Sequence, residues 1–362
     1  MRVWKIDPSG VRRGMVEVTA CTVVLRDCGL GTWQVETTDT ALGDGWRVLI
    51  PGIASGPVTE VAVGLEGGHV VRTVTGVSEL AALADRLTYP VPSKAASAQS
   101  DAAHWKASGP AETVIRNLVH VNAGVGALAE RRAALFSVVP SQGRGAQVST
   151  SQRWGALLDE ARSLARAGGV TFDAIWEQAS AQAVLRFRVP RDLSRRVRFG
   201  GPLGGLEDAT VSLKAPTATA VIVAGQGQGT ARTVYEYTAP VQWGRRIEVF
   251  KDQRQTDDVA ELDKAGAEAL ADGAATGTAS FKVAETPGLV YGTDYLLGDT
   301  VTVELGGMRV TEPVRAVELA WDGHGRTASI VLGDHDQADD KDPAWLARVR
   351  RIEAQMRGLE TI

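Results

Sequence analysis

The sequence predicts an α+β, β-rich fold in which two β regions flank an α+β insert and a short coiled-coil helix ends the chain. Short runs rich in Val and Thr recur near both ends of the chain, and glycine-containing turns separate them. Between these regions the apolar spacing changes to the period of helices, and the last apolar residues step by three and four. The predicted segments are a β domain at 1–92, an α+β insert at 93–206, a second β domain with a helix at 207–338, and an acidic linker with a helix at 339–362.

The first β region is predicted from β-branched composition. Val and Thr favour strands, and Gly-containing segments interrupt them as turns. Strands at this spacing are typical of a β-sandwich or a β-barrel. Pro90 and Pro92 then end the pattern, which predicts a loop or domain junction at 88–110. The predicted strands are 16–25, 32–37, 47–50, 58–63 and 69–75, with turns at 29–31, 43–45 and 67–68.

Two amphipathic helices are predicted in the insert. Pro110 lies in the first turn of one helix, with Ser108 as its N-cap, and a glycine at 124 or 126 ends it. The second helix carries one apolar stripe over 154–165, and the glycine pair at 168–169 stops it. The insert therefore combines helices with strands.

A strand pair completes the insert. Residues 183–189 alternate, with Leu185, Phe187 and Val189 predicted inward and Arg186 and Arg188 outward, and 171–176 forms the partner strand. In the second β region, Thr256 or Asp257 is predicted to cap an amphipathic helix of about four turns. The strands predicted after that helix are 279–285, 300–305, 311–321 and 328–332.

Charge and composition narrow the function classes. The 39 Lys and Arg residues against 43 Asp and Glu give a net charge of −4, which is far from the basic footprint of a dedicated DNA-binding protein. No apolar run reaches the length of a membrane span, and we expect no secretion signal among the first 19 residues. Cys21 and Cys28 are predicted on one strand, about 23 Å apart, so we expect two free thiols in a reducing cytosol.

No catalytic motif stands out in the sequence. The five histidines lie in separate segments, and the spacings of zinc sites and of the hydrolase nucleophile turn are missing. We therefore expect no enzyme, no catalytic residue, no cofactor and no metal site, although a triad assembled from distant loops stays open. Gly225–Gly229 resembles a nucleotide loop, but a strand follows it, so a hairpin tip is favoured.

Three charged or apolar segments are candidates for binding an ion or a partner. The acidic residues of 334–342 lack the glycine and the terminal Glu of a calcium loop, which favours a solvated linker. Six arginines fall within 186–198; the outer face of a strand and its turn is favoured over a partner surface. Apolar residues near the C-terminus form a coiled-coil seam, which we predict as an oligomer interface, with packing on its own domain as the alternative. The seam consists of Trp345, Val349, Ile352, Met356 and Leu359.

Several motifs, in this order and spacing, resemble the tail-hub proteins of siphophages, particularly those of actinobacteriophages. The similarity extends over nearly the whole chain, and no single motif decides it. The motifs are LRDCGLGTWQVETT (25–38), IPGIASGPV (50–58), RLTYPVP (86–92), GPAETVIRNLVHVNAG (109–124), RWGALLDEARSLARAGGVTFD (153–173), APTATAVIVAGQGQGTAR (215–232), WGRRIEVFKDQRQTDD (243–258) and YGTDYLLGDTVTV (291–303).

This resemblance implies a structural protein of the virion tail tip. It implies two tail-tube-like β-barrels per chain, so that a homotrimer forms a pseudo-sixfold ring that caps the tail tube. The implied partners are the distal tail protein ring, the tape measure protein and tip or central fibre proteins, with DNA passing through the lumen without specific binding. The protein is then made in the host cytoplasm and assembled into the virion. A tail-associated cell-wall hydrolase and a receptor- or carbohydrate-binding adhesin are the alternatives.

Overall fold

The computed structural model describes residues 1–66, 68–200, 206–241, 243–283, 285–323 and 325–333. The chain is mostly β, with 46% of residues in strands and 15% in helices, which confirms the β-rich prediction. The C-terminal seam and the acidic segment 334–342 lie outside the described residues.

The strands of the described residues are, in chain order, β1 (Val3–Ile6), β2 (Arg12–Val16), β3 (Val18–Arg26), β4 (Gly29–Thr37), β5 (Arg47–Ile50), β6 (Ala54–Glu66), β7 (His69–Val77), β8 (Trp105–Pro110), β9 (Phe136–Val138), β10 (Gln147–Gln152), β11 (Thr171–Glu177), β12 (Gln182–Arg188), β13 (Arg198–Gly200), β14 (Leu206–Lys214), β15 (Ala220–Ala224), β16 (Val234–Thr238), β17 (Glu248–Asp252), β18 (Thr276–Val283), β19 (Thr300–Leu305), β20 (Met308–Asp322) and β21 (Gly325–Leu332). The α-helices are α1 (Ala81–Ala84), α2 (Ala111–Asn122), α3 (Leu157–Gly168) and α4 (Val259–Asp272).

One thirteen-stranded sheet joins the two ends of the described chain. Its strands follow the order β14-β18-β21-β20-β3-β4-β7-β6-β5-β1-β2, with β19 beside β20 and β13 beside β19. The strands β3 and β20 pair antiparallel, so that Arg26 lies opposite Ala316 and Cys21 opposite Trp321. This strand order does not close on itself within the described residues, so the two barrels remain a prediction.

The N-terminal strands enclose an apolar core around Trp33. The indole is almost fully buried and donates a hydrogen bond from Nε1 to the carbonyl oxygen of Val77 at 3.1 Å. A Cβ atom at Gly76 would lie 2.1 Å from the indole ring, so only glycine lets β7 pass this close. The segment 29–31, predicted as a turn, instead begins β4, because the turn is made by Asp27 and Cys28.

The insert packs its helices and strands on one core. Residues such as Ile115, Leu118 and Leu157 are fully buried between α2 and α3, and β11-β12-β9 form a small sheet against them. Gly169, at φ 65°, ends α3 as predicted. Ser108 does not cap α2, because it belongs to β8 and Pro110 takes the cap position.

A second compact unit comprises Val211–Ala279; the first comprises Met1–Thr210 with the described residues from Ser280 onwards. In the second unit α4 packs against the sheet β16-β15-β17. Asp258, rather than Thr256 or Asp257, caps α4 by accepting a hydrogen bond from the amide of Ala260 at 2.8 Å.

The predicted domain boundaries at 92, 206 and 338 remain predictions. Within the part of the chain that the structure describes, no helix is long and apolar enough to cross a bilayer.

Candidate functional site

A cavity of about 260 Å³ opens beside the β11–β12 hairpin in the first unit. The segment that precedes β19 forms its other wall through Tyr291, Leu296 and Leu297. The hairpin contributes its outward side chains because Leu185 and Phe187 turn into the core, as the alternation predicted. The prediction was wrong for Val189, which lies beyond the end of β12 and is 55% exposed. Charged side chains from β11 and β12 therefore line the cavity, namely Asp173, Arg186 and Arg188.

Asp299 binds together the chain segments that form the cavity wall. Its side chain is fully buried and accepts hydrogen bonds from the guanidinium groups of Arg188 at 2.8 Å and Arg191 at 2.6 Å. The backbone amides of Arg191 and Leu296 donate to the same carboxylate at 2.9 and 3.0 Å. Burial alone raises the pKa of Asp299, but the hydrogen bonds from Arg191 and Arg188 outweigh burial and hold the pKa below its usual range.

Asp27 makes a second junction, at the turn between β3 and β4. Its carboxylate accepts hydrogen bonds from the Thr171 hydroxyl on β11 and from the Arg315 guanidinium on β20. The next residue, Cys28, has a φ of 49° and accepts a hydrogen bond at Sγ from the amide of Phe172 at 3.3 Å. Residues more than 140 positions apart are thereby held together.

Asp173 lies at the cavity mouth. Packing around the carboxyl raises its pKa, although the nearby Arg186 and Arg188 oppose the rise. Arg186 also forms an ion pair with Glu177 on the partner strand. The cavity thus contains a carboxylate between cations, while most of the surrounding polar groups bind chain segments to one another.

The geometry favours a structural junction over a reacting site. The Thr171 hydroxyl donates to Asp27, and Arg188 and Arg191 bind Asp299. These groups therefore hold together segments that are distant in the sequence. No group of three or more His, Cys, Asp and Glu side chains suited to a metal ion occurs among the described residues.

The six arginines of 186–198 divide into two sets. Arg186, Arg188 and Arg191 form the ion pairs described above. This agrees with the favoured interpretation of the segment as the outer face of a strand and its turn. Arg195 and Arg196, in the turn that follows, and Arg198, at the start of β13, are exposed. Only the second set is therefore available to a partner.

The structure also places three other features noted in the sequence. Gly225–Gly229 joins the antiparallel strands β15 and β16, which agrees with a hairpin connection and not with a phosphate loop before a helix. Cys21 and Cys28 are both free and buried, as predicted for two unlinked thiols. Trp154 was predicted to begin the stripe of α3, but it lies outside that helix at φ 58° and is 37% exposed. Its ring instead meets Tyr89 edge-on, at 4.7 Å between centroids.

Sequence reasoning missed an exposed apolar surface on the β6–β7 hairpin. Val63, Leu65 and Val70 lie on one face of the hairpin, beyond the core, and all three are exposed. We call these three residues the hairpin stripe. The period-two pattern of Val61, Val63 and Leu65 was present in the sequence, but such a pattern also describes a strand whose apolar face is fully buried. Only the position of the neighbouring strands shows that the stripe extends past the core.

The chain has a family match and structural relatives. The family model of the Siphovirus ReqiPepy6 Gp37-like protein matches residues 1–334, which confirms the resemblance carried by the motifs. The comparison with curated proteins gives no significant match.

Solved structures similar to this chain include three tail proteins. The 43 kDa tail protein of prophage MuSo2 from Shewanella oneidensis is 12% identical with a TM-score of 0.57, over 92% of this chain and 98% of that one. The tail protein from Neisseria meningitidis MC58 is 13% identical with a TM-score of 0.54, over 92% and 96%. The prophage tail protein gp18 from Listeria monocytogenes EGD-e is 12% identical with a TM-score of 0.56, over 97% and 100%. At these identities the likeness shows a shared fold.

Proposed function

Because the chain belongs to the Siphovirus ReqiPepy6 Gp37-like protein family, we propose that it is a structural, non-enzymatic protein of a phage tail and forms the hub at the tail tip. The observation that carries the proposal is the extent of the match, since the family model covers every described residue. The tail proteins that share the fold over more than nine tenths of this chain support the same function.

The proposed assembly is a homotrimeric ring. Each chain supplies strands from both its ends, and β3 and β20 join them edge to edge. Three copies would present six β regions, which suits a ring with two tail-tube-like barrels per chain placed against a sixfold distal tail protein. The tape measure protein and tip or central fibre proteins are the other proposed neighbours.

The proposed channel leaves DNA unbound. Each phosphate that a protein neutralises adds salt-dependent affinity, and a basic wall would retard the genome. Three arginines of 186–198 are already paired with carboxylates, which supports a lumen that is neutral or acidic. Arg195 and Arg196 are then expected to face solvent or a protein neighbour, and an image of the particle that places them on the channel wall would contradict this.

Immunogold labelling of intact particles tests the proposed location. An antibody against the purified chain is expected to label one tail end. Label spread along the tail shaft, or label found only in infected cells, would overturn the proposal. A peptidoglycan zymogram and glycan-array binding of the purified chain separate it from the hydrolase and adhesin alternatives, and a positive result in either would favour the corresponding alternative.

A further inference from the structure

The segment between β12 and β13 carries an excess of positive charge. Arg195, Arg196 and Arg198 are exposed, and none of them forms a salt bridge with the side chains that the structure describes. We call these three residues the arginine turn. Asp192 attracts Arg195, but it is one carboxylate among three guanidinium groups. Next to the turn, two further arginines share the single carboxylate of Asp299, so the excess is not cancelled there.

The arginine turn has a fixed position because its backbone is bound to strand β19. The amides of Arg196 and Val197 donate to the carbonyl oxygen of Leu193 at 2.8 Å, which closes the turn. The Thr302 hydroxyl on β19 donates to the carbonyl oxygen of Ser194 at 2.9 Å, and β13 then pairs parallel with β19. The three charges are therefore presented from an ordered backbone.

Gly333, the last described residue, lies near this turn. Its amide donates to the carbonyl oxygen of Pro313 at 3.0 Å, and Pro313 lies opposite Thr300. The carbonyl oxygen of Thr300 in turn accepts a hydrogen bond from the amide of Leu193 at 2.8 Å. Neighbouring strands lie about 5 Å apart, so these three steps place Gly333 about 15 Å from Leu193.

The segment that follows Gly333 has the opposite charge. Residues 334–342 comprise five aspartates and one lysine, so this acidic segment has a net charge of −4 with its histidine neutral. Nine extended residues at about 3.3 Å each reach about 30 Å, which exceeds the separation from the turn. Charge and reach therefore both suit a contact with the arginine turn. The aspartates are Asp334, Asp336, Asp339, Asp340 and Asp342.

We propose that the acidic segment 334–342 packs on the arginine turn of its own chain. Covalent attachment brings the segment to an effective concentration of about millimolar at the turn. A second copy or a nucleic acid has to compete with that concentration, which favours the segment of the same chain. The contact neutralises a surface that otherwise attracts polyanions. This inference goes beyond the proposed function and does not rest on it, because it concerns a single chain.

Cross-linking within one chain tests the contact. The native cysteines are buried, so a short bis-maleimide reacts with introduced cysteines only. Ser194→Cys and Ala338→Cys, combined in one chain, are expected to give an internal link that mass spectrometry of the peptides identifies. Changing Arg195, Arg196 and Arg198 to Gln is expected to lower the yield at least about fivefold, as the loss of several exposed ion pairs allows.

The matched control removes three charges outside the turn. Arg2→Gln, Arg132→Gln and Arg153→Gln change exposed arginines and are expected to leave the yield unchanged. An equal loss in this control, or a yield that the turn substitutions do not lower, would overturn the proposal. Raising the salt concentration to about 1 M shortens the Debye length to about 3 Å, so the yield is expected to fall. A yield that ignores salt would also contradict an ionic contact.

Reversal of the charges identifies the partners. Arg195→Glu with Arg196→Glu is expected to abolish the link, and Asp339→Lys with Asp340→Lys in the same chain is expected to restore it. Circular dichroism checks that each variant folds, and the Gln substitutions decide the question if a reversed chain does not. A folded chain in which the second reversal restores nothing would reject the pairing.

Mixtures of chains separate the two possible sources of the acidic segment. Ser194→Cys and Ala338→Cys on separate chains are expected to link far less than the same pair within one chain. Equal linking would assign the turn to a second copy and overturn the proposal. These experiments use the isolated chain, so their outcome is independent of the immunogold labelling that tests the proposed function.

Heparin, used as a probe polyanion, tests whether the segment shields the turn. Asp336→Asn, Asp339→Asn and Asp340→Asn together are expected to strengthen retention of the chain on a heparin column. The Gln substitutions in the arginine turn are expected to cancel this gain, whereas the control Gln substitutions outside the turn are expected to keep most of it. Equal cancellation by both sets would mean that net charge alone controls retention and would reject the shielding role.

Discussion

At the scale of single residues, Asp299 is expected to contribute most among the carboxylates near the cavity. Asp299→Ala removes charge-assisted hydrogen bonds and leaves the amides of Arg191 and Leu296 without their acceptor. Because the two arginines are partly exposed and can turn to water, the expected loss is about 2–4 kcal/mol of unfolding free energy, measured by urea denaturation. Asp101→Ala, which breaks an exposed pair with Lys94, is the matched control and should cost less than about 1 kcal/mol. Equal losses would contradict the anchoring role.

The same carboxylate predicts a pH dependence. Its folded-state pKa is lowered, so the ionised form is favoured by folding and the contribution is fully present above the unfolded-state pKa of about 4. Stability is therefore expected to fall as the pH drops below about 4 towards the folded-state value. Urea midpoints measured across this range should decline less steeply for Asp299→Asn, and an unchanged slope would show that other groups control acid unfolding.

The two thiols are predicted to be inert while the chain is folded. Burial raises the pKa of both Cys21 and Cys28 to about 12, so little thiolate exists near neutral pH. A thiol reagent at pH 8 should modify neither residue before denaturation and both after it. Rapid labelling of the native chain would show that the β3–β4 turn opens.

Local sequence patterns predicted individual strands, but they did not predict contacts between residues far apart in the chain. The strands 47–50 and 300–305 were placed at their observed bounds because their β-type composition is a property of the local sequence. The contacts of Cys28 with Phe172 and of Asp27 with Arg315 were missed, since no local pattern indicates which residues meet across so many positions. The cavity depends on such contacts, so its location could not be predicted from the sequence.

At the scale of elements, helix α4 depends on a glycine in its middle. A Cβ at Gly266 would lie 2.3 Å from the Tyr237 ring, so the helix packs on the sheet more closely than alanine allows. Gly266→Ala is expected to destabilise the unit Val211–Ala279 by about 1–3 kcal/mol despite the better helix propensity of alanine, as circular dichroism melting would measure.

Gly43→Ala is the matched control for this substitution, because a Cβ there meets nothing within 4 Å. It should leave the melting profile unchanged. If Gly266→Ala raised the melting temperature instead, helix propensity would outweigh the contact with Tyr237.

The C-terminal seam of Trp345, Val349, Ile352, Met356 and Leu359 remains a proposal for a three-chain coil on the tail axis. Fewer than three heptads associate weakly, so the coil would need the ring to raise the effective concentration of its helices. Ile352→Asp is expected to fray the helix while the trimer survives, as native mass and circular dichroism would measure. A monomeric variant would make the coil the main trimerising element, and an unchanged helix signal would mean that it packs on its own domain.

At the scale of the whole molecule, the β3–β20 pairing predicts that the N-terminal strands need the C-terminal ones. A chain that ends at residue 306 lacks β20 and leaves the edge of β3 unpaired, so it is expected to aggregate when expressed. A chain that ends at residue 333 keeps every described strand and is the matched control. Soluble, cooperatively unfolding protein from the shorter chain would show that the first β region folds independently.

The same pairing determines when the sheet can be completed during synthesis of the chain. Trp321 lies 300 positions after its partner Cys21, and ribosomes add about 5–20 residues per second, so β3 leaves the ribosome roughly 15–60 s before β20 exists. During that interval the nascent chain carries an open sheet edge that a chaperone or a neighbouring nascent chain can bind. Completion of the sheet therefore requires translation through β20, and a polypeptide terminated before β20 cannot present the finished sheet to an assembling particle.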